Sequence, residues 1–330
     1  MENSPYQKDH QFSEIKAALL NSRSPFPTGM LYFFSDISQG DLEKLTAVWP
    51  KVETMRRRGL LEDMEGLAEN DTLLFFDHVA QMCLDDEDPI ARSTAIRLLW
   101  QSQQENLIPR LIKLMNEDPE VIVRAAAATG LGVFVYLGEL EEINESTYKS
   151  VVDNLIQTHL SADDQLVRRR ALEALGYASN REIPDLIQKA YESNDDEWLQ
   201  SALFAMGRSY DKRWKGAILR MIDHPDLKVR YEAVRAAGEL ELEAARDQLF
   251  EIASGGTQDD DLYFAAIWSL TKIGGEGVQS LIEMSIDDTD DPDELQLLEE
   301  ALENLHFTEQ INPFDMMYVE EDDLDDWENE

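Results

Sequence analysis

Residues that could do chemistry are few in this chain, and they are scattered. Five histidines, His10, His78, His159, His224 and His306, are followed by Gln11, Val79, Leu160, Pro225 and Phe307. No His-Glu pair therefore places an imidazole beside a carboxylate as neighbouring metal ligands. Cys83 is the single cysteine, which excludes an internal disulfide and a multi-cysteine metal site. Its apolar helical surroundings predict a buried thiol rather than a nucleophile. The acidic run DDTDDPDE, Asp287–Glu294, lacks the central glycine and terminal glutamate of a calcium loop and reads as an acidic turn between helices. IGGEG, Ile273–Gly277, lacks the Lys-Ser/Thr that a phosphate-binding loop requires. These residues predict no catalysis, cofactor or metal. The residue types of recognition are better represented: Arg169, Arg170, Phe204, Tyr231, Arg235 and Trp268 are arginines and aromatics, which dominate interface energetics.

Only a repeated element can bring these six together. Asp223–Gly238, DHPDLKVRYEAVRAAG, reads as a turn and then a helix with its small and branched residues on one side. Counting from Pro225, Val229 stands at offset four, Arg230 at five, Ala233 at eight and Gly238 at thirteen. Pro119 begins a second copy (Val123, Arg124, Ala127, Gly132) and Asp163 a third (Val167, Arg168, Ala171, Gly176). Asn194 begins a copy with Leu199 in place of the arginine, and Asp261 a weaker one. Arg92 with Ala95 marks a copy upstream, and Asp290–Leu305 a terminal one. The offset-eight residues, Ala95, Ala127, Ala171, Ala202, Ala233, Ser269 and Ala301, lie 32, 44, 31, 31, 36 and 32 apart. A unit near 31 residues holds two short helices and two turns. The spacing of 44 requires an insertion near Leu137–Ser150. Aspartate or asparagine in the turns can cap the second helices, and Gly176, Gly207, Gly238 and Gly274 are placed to close them.

The first helices are expected near residues 107–116, 147–160, 183–192, 214–222, 244–253 and 278–286, with apolar residues at three- and four-residue spacing. Outside the repeats, residues 1–29 read as a flexible arm around one short helix at Phe12–Leu20. Residues 30–84 read as a helical cap, with Val52–Ala68 and Leu73–Leu84 as an antiparallel pair. The run Arg56, Arg57 and Arg58 is expected on a solvated face balanced by Glu62, Asp63 and Glu65. Residues 85–307 form the array, and 308–330 a disordered acidic tail.

Charge restricts the partners. The net charge is −39, and after Lys272 there is no lysine or arginine, so the last 58 residues alone carry −21. That field repels nucleic acid and anionic membranes and favours a protein with a basic or mixed surface. The longest nearly uncharged segment, Ala125–Gly138, is shorter than the ~20 apolar residues a membrane span takes. Met1 is followed by a polar stretch without the apolar core of a secretory signal, and a cytoplasmic location is expected.

With these residues placed, the chain resembles HEAT-repeat proteins, and among them the short bacterial repeats of the phycobilin-lyase type, over Asp85–Phe307. The resemblance implies an all-α, right-handed α-solenoid of about six to seven helix pairs, its second helices lining a concave side. It also implies that Arg92, Arg124, Arg168 and Arg230 form a structural ladder with turn aspartates, broken at Leu199 and Ala266. Deoxyhypusine hydroxylases within this class carry His-Glu pairs, which are missing here. HEAT-like DNA glycosylases need a basic groove, against which −39 argues.

Offsets six, seven and ten of the second helices fall opposite the apolar side. Read along the array they give Arg169, Arg170 and Glu173, then Gln200, Ser201 and Phe204, then Tyr231, Glu232 and Arg235, then Ile267, Trp268 and Thr271. This strip predicts a non-catalytic scaffold or adaptor that binds another protein along its concave face. Residues 320–330, with Trp327 among their carboxylates, could fold back onto the strip and modulate access. Two alternatives stay open: a lyase-like or chaperone-like accessory protein, and an acidic mimic of nucleic acid that inhibits a basic protein.

Overall fold

The computed structural model describes residues 11–162, 164–257 and 259–315, and these residues contain helices and no strand. They fall into two compact units, divided after Ser179. In the first unit the α-helices are α1 (Phe12–Leu20), α2 (Gln39–Val48), α3 (Thr54–Asn70), α4 (Asp77–Cys83), α5 (Pro89–Leu98), α6 (Ile108–Glu117), α7 (Val121–Glu139), α8 (Glu145–Ser161) and α9 (Gln165–Ala174). In the second they are α10 (Ile183–Tyr191), α11 (Asp196–Arg208), α12 (Lys215–Met221), α13 (Leu227–Glu239), α14 (Arg246–Glu251), α15 (Asp260–Ile273), α16 (Val278–Asp288) and α17 (Pro292–Asp315).

From α4 onward the helices pair in succession. In the first unit α4 packs on α5, α6 on α7 and α8 on α9, while α3, α5, α7 and α9 stack side by side. In the second unit α10 packs on α11, α12 on α13, α14 on α15 and α16 on α17, while α11, α13, α15 and α17 stack. The fold is an α-solenoid. Within each unit the second helices bury small residues in the stack: Ala95, Ala127 and Ala171 in the first and Ala202 and Ala233 in the second are wholly enclosed. At the equivalent place Ser269 keeps its hydroxyl satisfied by donating to the Val234 carbonyl at 2.9 Å. Turn aspartates start the second helices. Asp88, Asp164, Asp195, Asp226 and Asp259 accept backbone N–H groups from the first turns of α5, α9, α11, α13 and α15.

Gly207, Gly238 and Gly274 stand at the ends of α11, α13 and α15, as expected from the sequence, but among these three only Gly274 is the cap, closing α15 at φ 64°. Gly207 and Gly238 lie within the last turns of α11 and α13, where the stack is tightest. A Cβ on Gly207 would stand 3.0 Å from the Ala236 Cα, and one on Gly238 would stand 2.7 Å from the Ser269 Cα. Their role is close approach of helices, not termination. Around the insertion both α7 and α8 are long, and Tyr148 of α8 lies over Gly138 of α7, its hydroxyl donating to Glu139. The length and composition of α7 would suit a membrane span, but half of it is buried among α5, α6, α8 and α9, as the core helix of a stack must be.

The N-terminal region departs most from expectation. Residues 11–29 are anchored: Ile15, Leu19 and Phe26 are buried, and Arg56 donates to the carbonyls of Asn21 (2.7 Å) and Ser24. The arginine run does not form a solvated face. Arg57 is buried and donates to Asp86 at 2.9 Å, and Arg58 grips both oxygens of Asp88 at 2.9 and 2.5 Å. With its basic face turned to those turns, α3 packs on α5, and α4 is the first helix of the α4/α5 pair rather than the partner of α3. At the other end α17 runs through Asp315, past Phe307, because neither glycine nor proline interrupts it before Pro313.

Candidate partner-binding groove

The ladder arginines are occupied by the fold. Arg92 donates from Nε and Nη2 to both oxygens of the buried Asp118, each at 2.9 Å, and from Nη1 to the Asp86 carbonyl at 2.8 Å. Arg124 donates to the carbonyls of Asp118 (2.9 Å) and Pro119 (3.1 Å), Arg168 to that of His159 (2.8 Å), and Arg230 to that of Ile222 (3.1 Å). Each arginine therefore ties its second helix to the chain just before it. Guanidinium suits this position because its planar fork can satisfy several acceptors at once.

The six candidate recognition residues divide between the units. In the part of the expected strip on α9, Arg169 and Glu173 are enclosed, and Arg170 stays partly exposed in its pair with Glu173. Ser201, Ile267 and Thr271, also placed on the strip by the offset count, are buried too. Thr271 is covered from α17, whose Asn304 donates to its hydroxyl. A neighbouring helix draws residues beside the apolar side into the seam, which helical periodicity alone does not reveal.

The second unit keeps the remaining four together. Arg235 lies over two rings, 5.5 Å from the centre of Phe204 and 5.7 Å from that of Tyr231, while Arg208 covers Phe204 at 4.2 Å. Tyr231 and Arg235 of α13, Phe264 and Trp268 of α15, and Leu297 and Ala301 of α17 line an open groove of ≈ 330 Å³. That volume lies at the lower end of ligand-sized clefts. Trp268 is 43% exposed and Leu297 46% exposed, so two large apolar side chains face water on rigid helices. The walls are pinned. The Ser269 hydroxyl joins α15 to α13, and Asn304 of α17 donates to the Thr271 hydroxyl of α15 at 2.7 Å. Phe264 and Leu297 were not singled out from the sequence. Leu297 stands at offset four from Asp293 in the terminal repeat copy, a position that is buried in the earlier copies (Val123, Val167, Val229), so the offset count would have placed it in the core; it is exposed here.

The charges at the groove are locally balanced. Lys272 Nζ is 2.8 Å from Glu239, and Arg235 is 3.6 Å from Glu232. Asp261 stands exposed at the edge with no ion pair among the described residues. Elsewhere, burial pushes the Cys83 thiol well above its ordinary range, so it stays protonated and is a poor nucleophile. The described residues contain no group of three or more His, Cys, Asp or Glu side chains suited to a metal ion.

Stacked helix pairs and arginine-clamped turns are the architecture of an α-solenoid. Residues 76–147 and 215–303 match the family of HEAT repeats, so both units carry such repeats. The intervening segment keeps the same helix pairing. No curated protein matches the sequence. Among solved structures the chain is similar to YibA of Escherichia coli, at 15% identity and a TM-score of 0.43, over 87% of this chain and 98% of that one. It is similar to human deoxyhypusine hydroxylase at 16% identity and 0.35, over 91% and 96%. Yeast importin-β gives 12% identity and 0.44, over 95% of this chain and 50% of that one, so the chain spans half the length of importin-β. At these scores no activity or partner is carried over from them.

Proposed function

We propose that this chain is a non-catalytic interaction scaffold whose second-unit groove receives a segment of another protein. The observation that carries the reading is the exposure of Trp268 and Leu297 over a groove whose walls are fixed by side-chain hydrogen bonds. A large aromatic held rigidly in water is a costly arrangement for a monomer and a favourable anchor for a partner, since little side-chain entropy is left to lose on binding. In this proposal the partner presents a basic or mixed surface. The acidic C-terminal residues, of which 316–330 lie outside the described residues, set how readily that partner arrives, by attraction at long range.

The test is affinity capture with mass spectrometry, comparing the full chain, a chain ending at Asp315 and a Tyr231→Ala/Trp268→Ala double variant. The expected outcome is a partner retained by the full chain and lost by the double variant. A partner lost only on removal of residues 316–330 would make the repeats a platform for an acidic recognition peptide and refute the groove. A coloured complex with a linear tetrapyrrole that survives the double substitution would favour the lyase-like reading instead.

A further inference from the structure

Resting on that reading, we infer that the groove recognises a basic segment carrying an aromatic or leucine side chain, with lysine or arginine meeting the acidic rim while the apolar residue packs against Trp268 and Leu297. Three observations converge on this chemistry. First, both cations of the groove are engaged locally: Arg235 with Glu232 and two aromatic rings, and Lys272 with Glu239. They offer little to an incoming carboxylate. Second, one carboxylate of the groove lining has no counter-charge, and the helix that forms one wall is acidic. Asp261 has no ion pair among the described residues, and α17, which supplies the Leu297 wall, carries Asp293, Glu294, Glu299, Glu300 and Glu303 without a single lysine or arginine. Third, Trp268 is the best cation–π acceptor among the side chains, and here its ring is accessible.

The pattern beside the groove is the same chemistry in miniature. Arg208 and Arg235 both lie over Phe204, and Arg235 also lies over Tyr231, a groove residue. A partner's lysine or arginine over Trp268 would extend that alternation of ring and cation by one step. An acidic occupant, such as residues 320–330 of this chain, would meet like charge at Asp261 and along α17. It is therefore the competing occupant that an experiment must separate.

The probe is a displayed library of random dodecapeptides, selected on the full chain and counter-selected on Trp268→Ala. Enriched peptides are then synthesised with a fluorophore and titrated by anisotropy. The proteins are the parent chain, Trp268→Ala, Tyr231→Ala, Asp261→Lys and, as a charge control in the first unit, Asp63→Lys. Trp268, Asp261 and Asp63 are exposed, and matched circular dichroism spectra confirm the fold of each variant. Enriched sequences should place lysine or arginine beside Trp, Phe or Leu. Their Kd should rise at least about tenfold in Trp268→Ala and about tenfold in Asp261→Lys, and stay unchanged in Asp63→Lys.

Acidic or uncharged peptides that lose affinity in Trp268→Ala would overturn this inference and leave the groove standing as a protein-binding site. Basic peptides weakened equally by Asp63→Lys would overturn it as well, since attraction to the net charge would then suffice. Peptides indifferent to both Trp268→Ala and Tyr231→Ala, or a selection that enriches nothing, would overturn both this inference and the function proposed above.

Discussion

Replacing Arg57 by methionine tests whether the N-terminal arginine run holds the array together. Methionine keeps most of the apolar stem and removes the guanidinium. The Asp86 side chain is fully enclosed, with Arg57 Nη1 at 2.9 Å, the Trp49 indole N–H at 2.7 Å and the Asp88 N–H at 2.8 Å. Loss of the cation leaves a buried carboxylate with two neutral donors and no counter-charge. Breaking one partner of a buried pair costs ~3–5 kcal/mol, and the two remaining donors put this case near the lower end. A loss of about 3 kcal/mol is a large share of the ~5–15 kcal/mol that holds most domains folded. Arrays of repeats do not always unfold in one step, so urea melts alone would misreport a local loss. Hydrogen exchange resolved to α3, α4 and α5 is the better assay, and amide protection there should fall about a hundredfold. Asp86→Asn in the Arg57→Met background should recover part of it: the stranded charge is gone, while the single amide oxygen can accept from only one of the Trp49 and Asp88 N–H donors. A single-variant cost below about 1 kcal/mol, or no recovery in the double variant, would refute the assignment of Arg57 and Asp86 as a joint between α3 and the α4–α5 turn.

Three further outcomes follow from the packing and from the surroundings of two ionisable groups. Gly238→Ala forces a Cβ to within 2.7 Å of the Ser269 Cα and Cβ, and overpacking of this kind should destabilise α13 and α15 by ~1–3 kcal/mol in chemical melts. Cys83 should resist alkylation by iodoacetamide in the folded protein even at mildly alkaline pH and react once urea unfolds the first unit, as read by intact mass. The hydrogen bond from Arg58 holds the Asp88 carboxyl below its usual range, so the folded chain releases that proton more readily than the unfolded chain does. Its contribution is complete above the unfolded value of about 4 and is lost as pH falls through the folded value. The difference in Tm between the parent and Asp88→Asn, which keeps the helix cap, should hold steady from neutral pH to about pH 5 and shrink at lower pH.

The helix pairs were legible in the sequence because their signal is local. Offsets four, eight and thirteen fix the register of a second helix within one turn of the chain, and Ala127 or Ala233 can be placed without knowing any neighbour. What failed depended on distances across the stack. Arg57 and Arg58 looked solvated because Glu62 and Glu65 lie nearby in sequence, whereas their partners Asp86 and Asp88 stand about thirty positions away. Gly207 and Gly238 looked like helix caps for the same reason: a capping glycine and a glycine at a crossing point are indistinguishable until the second helix is in place. The candidate strip illustrates both cases. Tyr231, Arg235 and Trp268 line one groove, and Phe204 joins them through Arg235. Arg169 was lost to burial, which the offset count cannot foresee.

The carboxylate of Asp88 serves two masters: it accepts the Ala91 N–H that starts α5, and it is gripped by Arg58 from α3. Asp118 is shared in the same manner between Arg92 of α5 and the Glu120 N–H ahead of α7. A joint of this kind cannot release one helix without loosening its neighbour. Under a pulling force applied to the chain ends, the stretch from α3 to α7 should therefore yield as a single event rather than peel away helix by helix. Such a stretch would behave as a stiff spring, able to hold its packing under load until it gives way all at once.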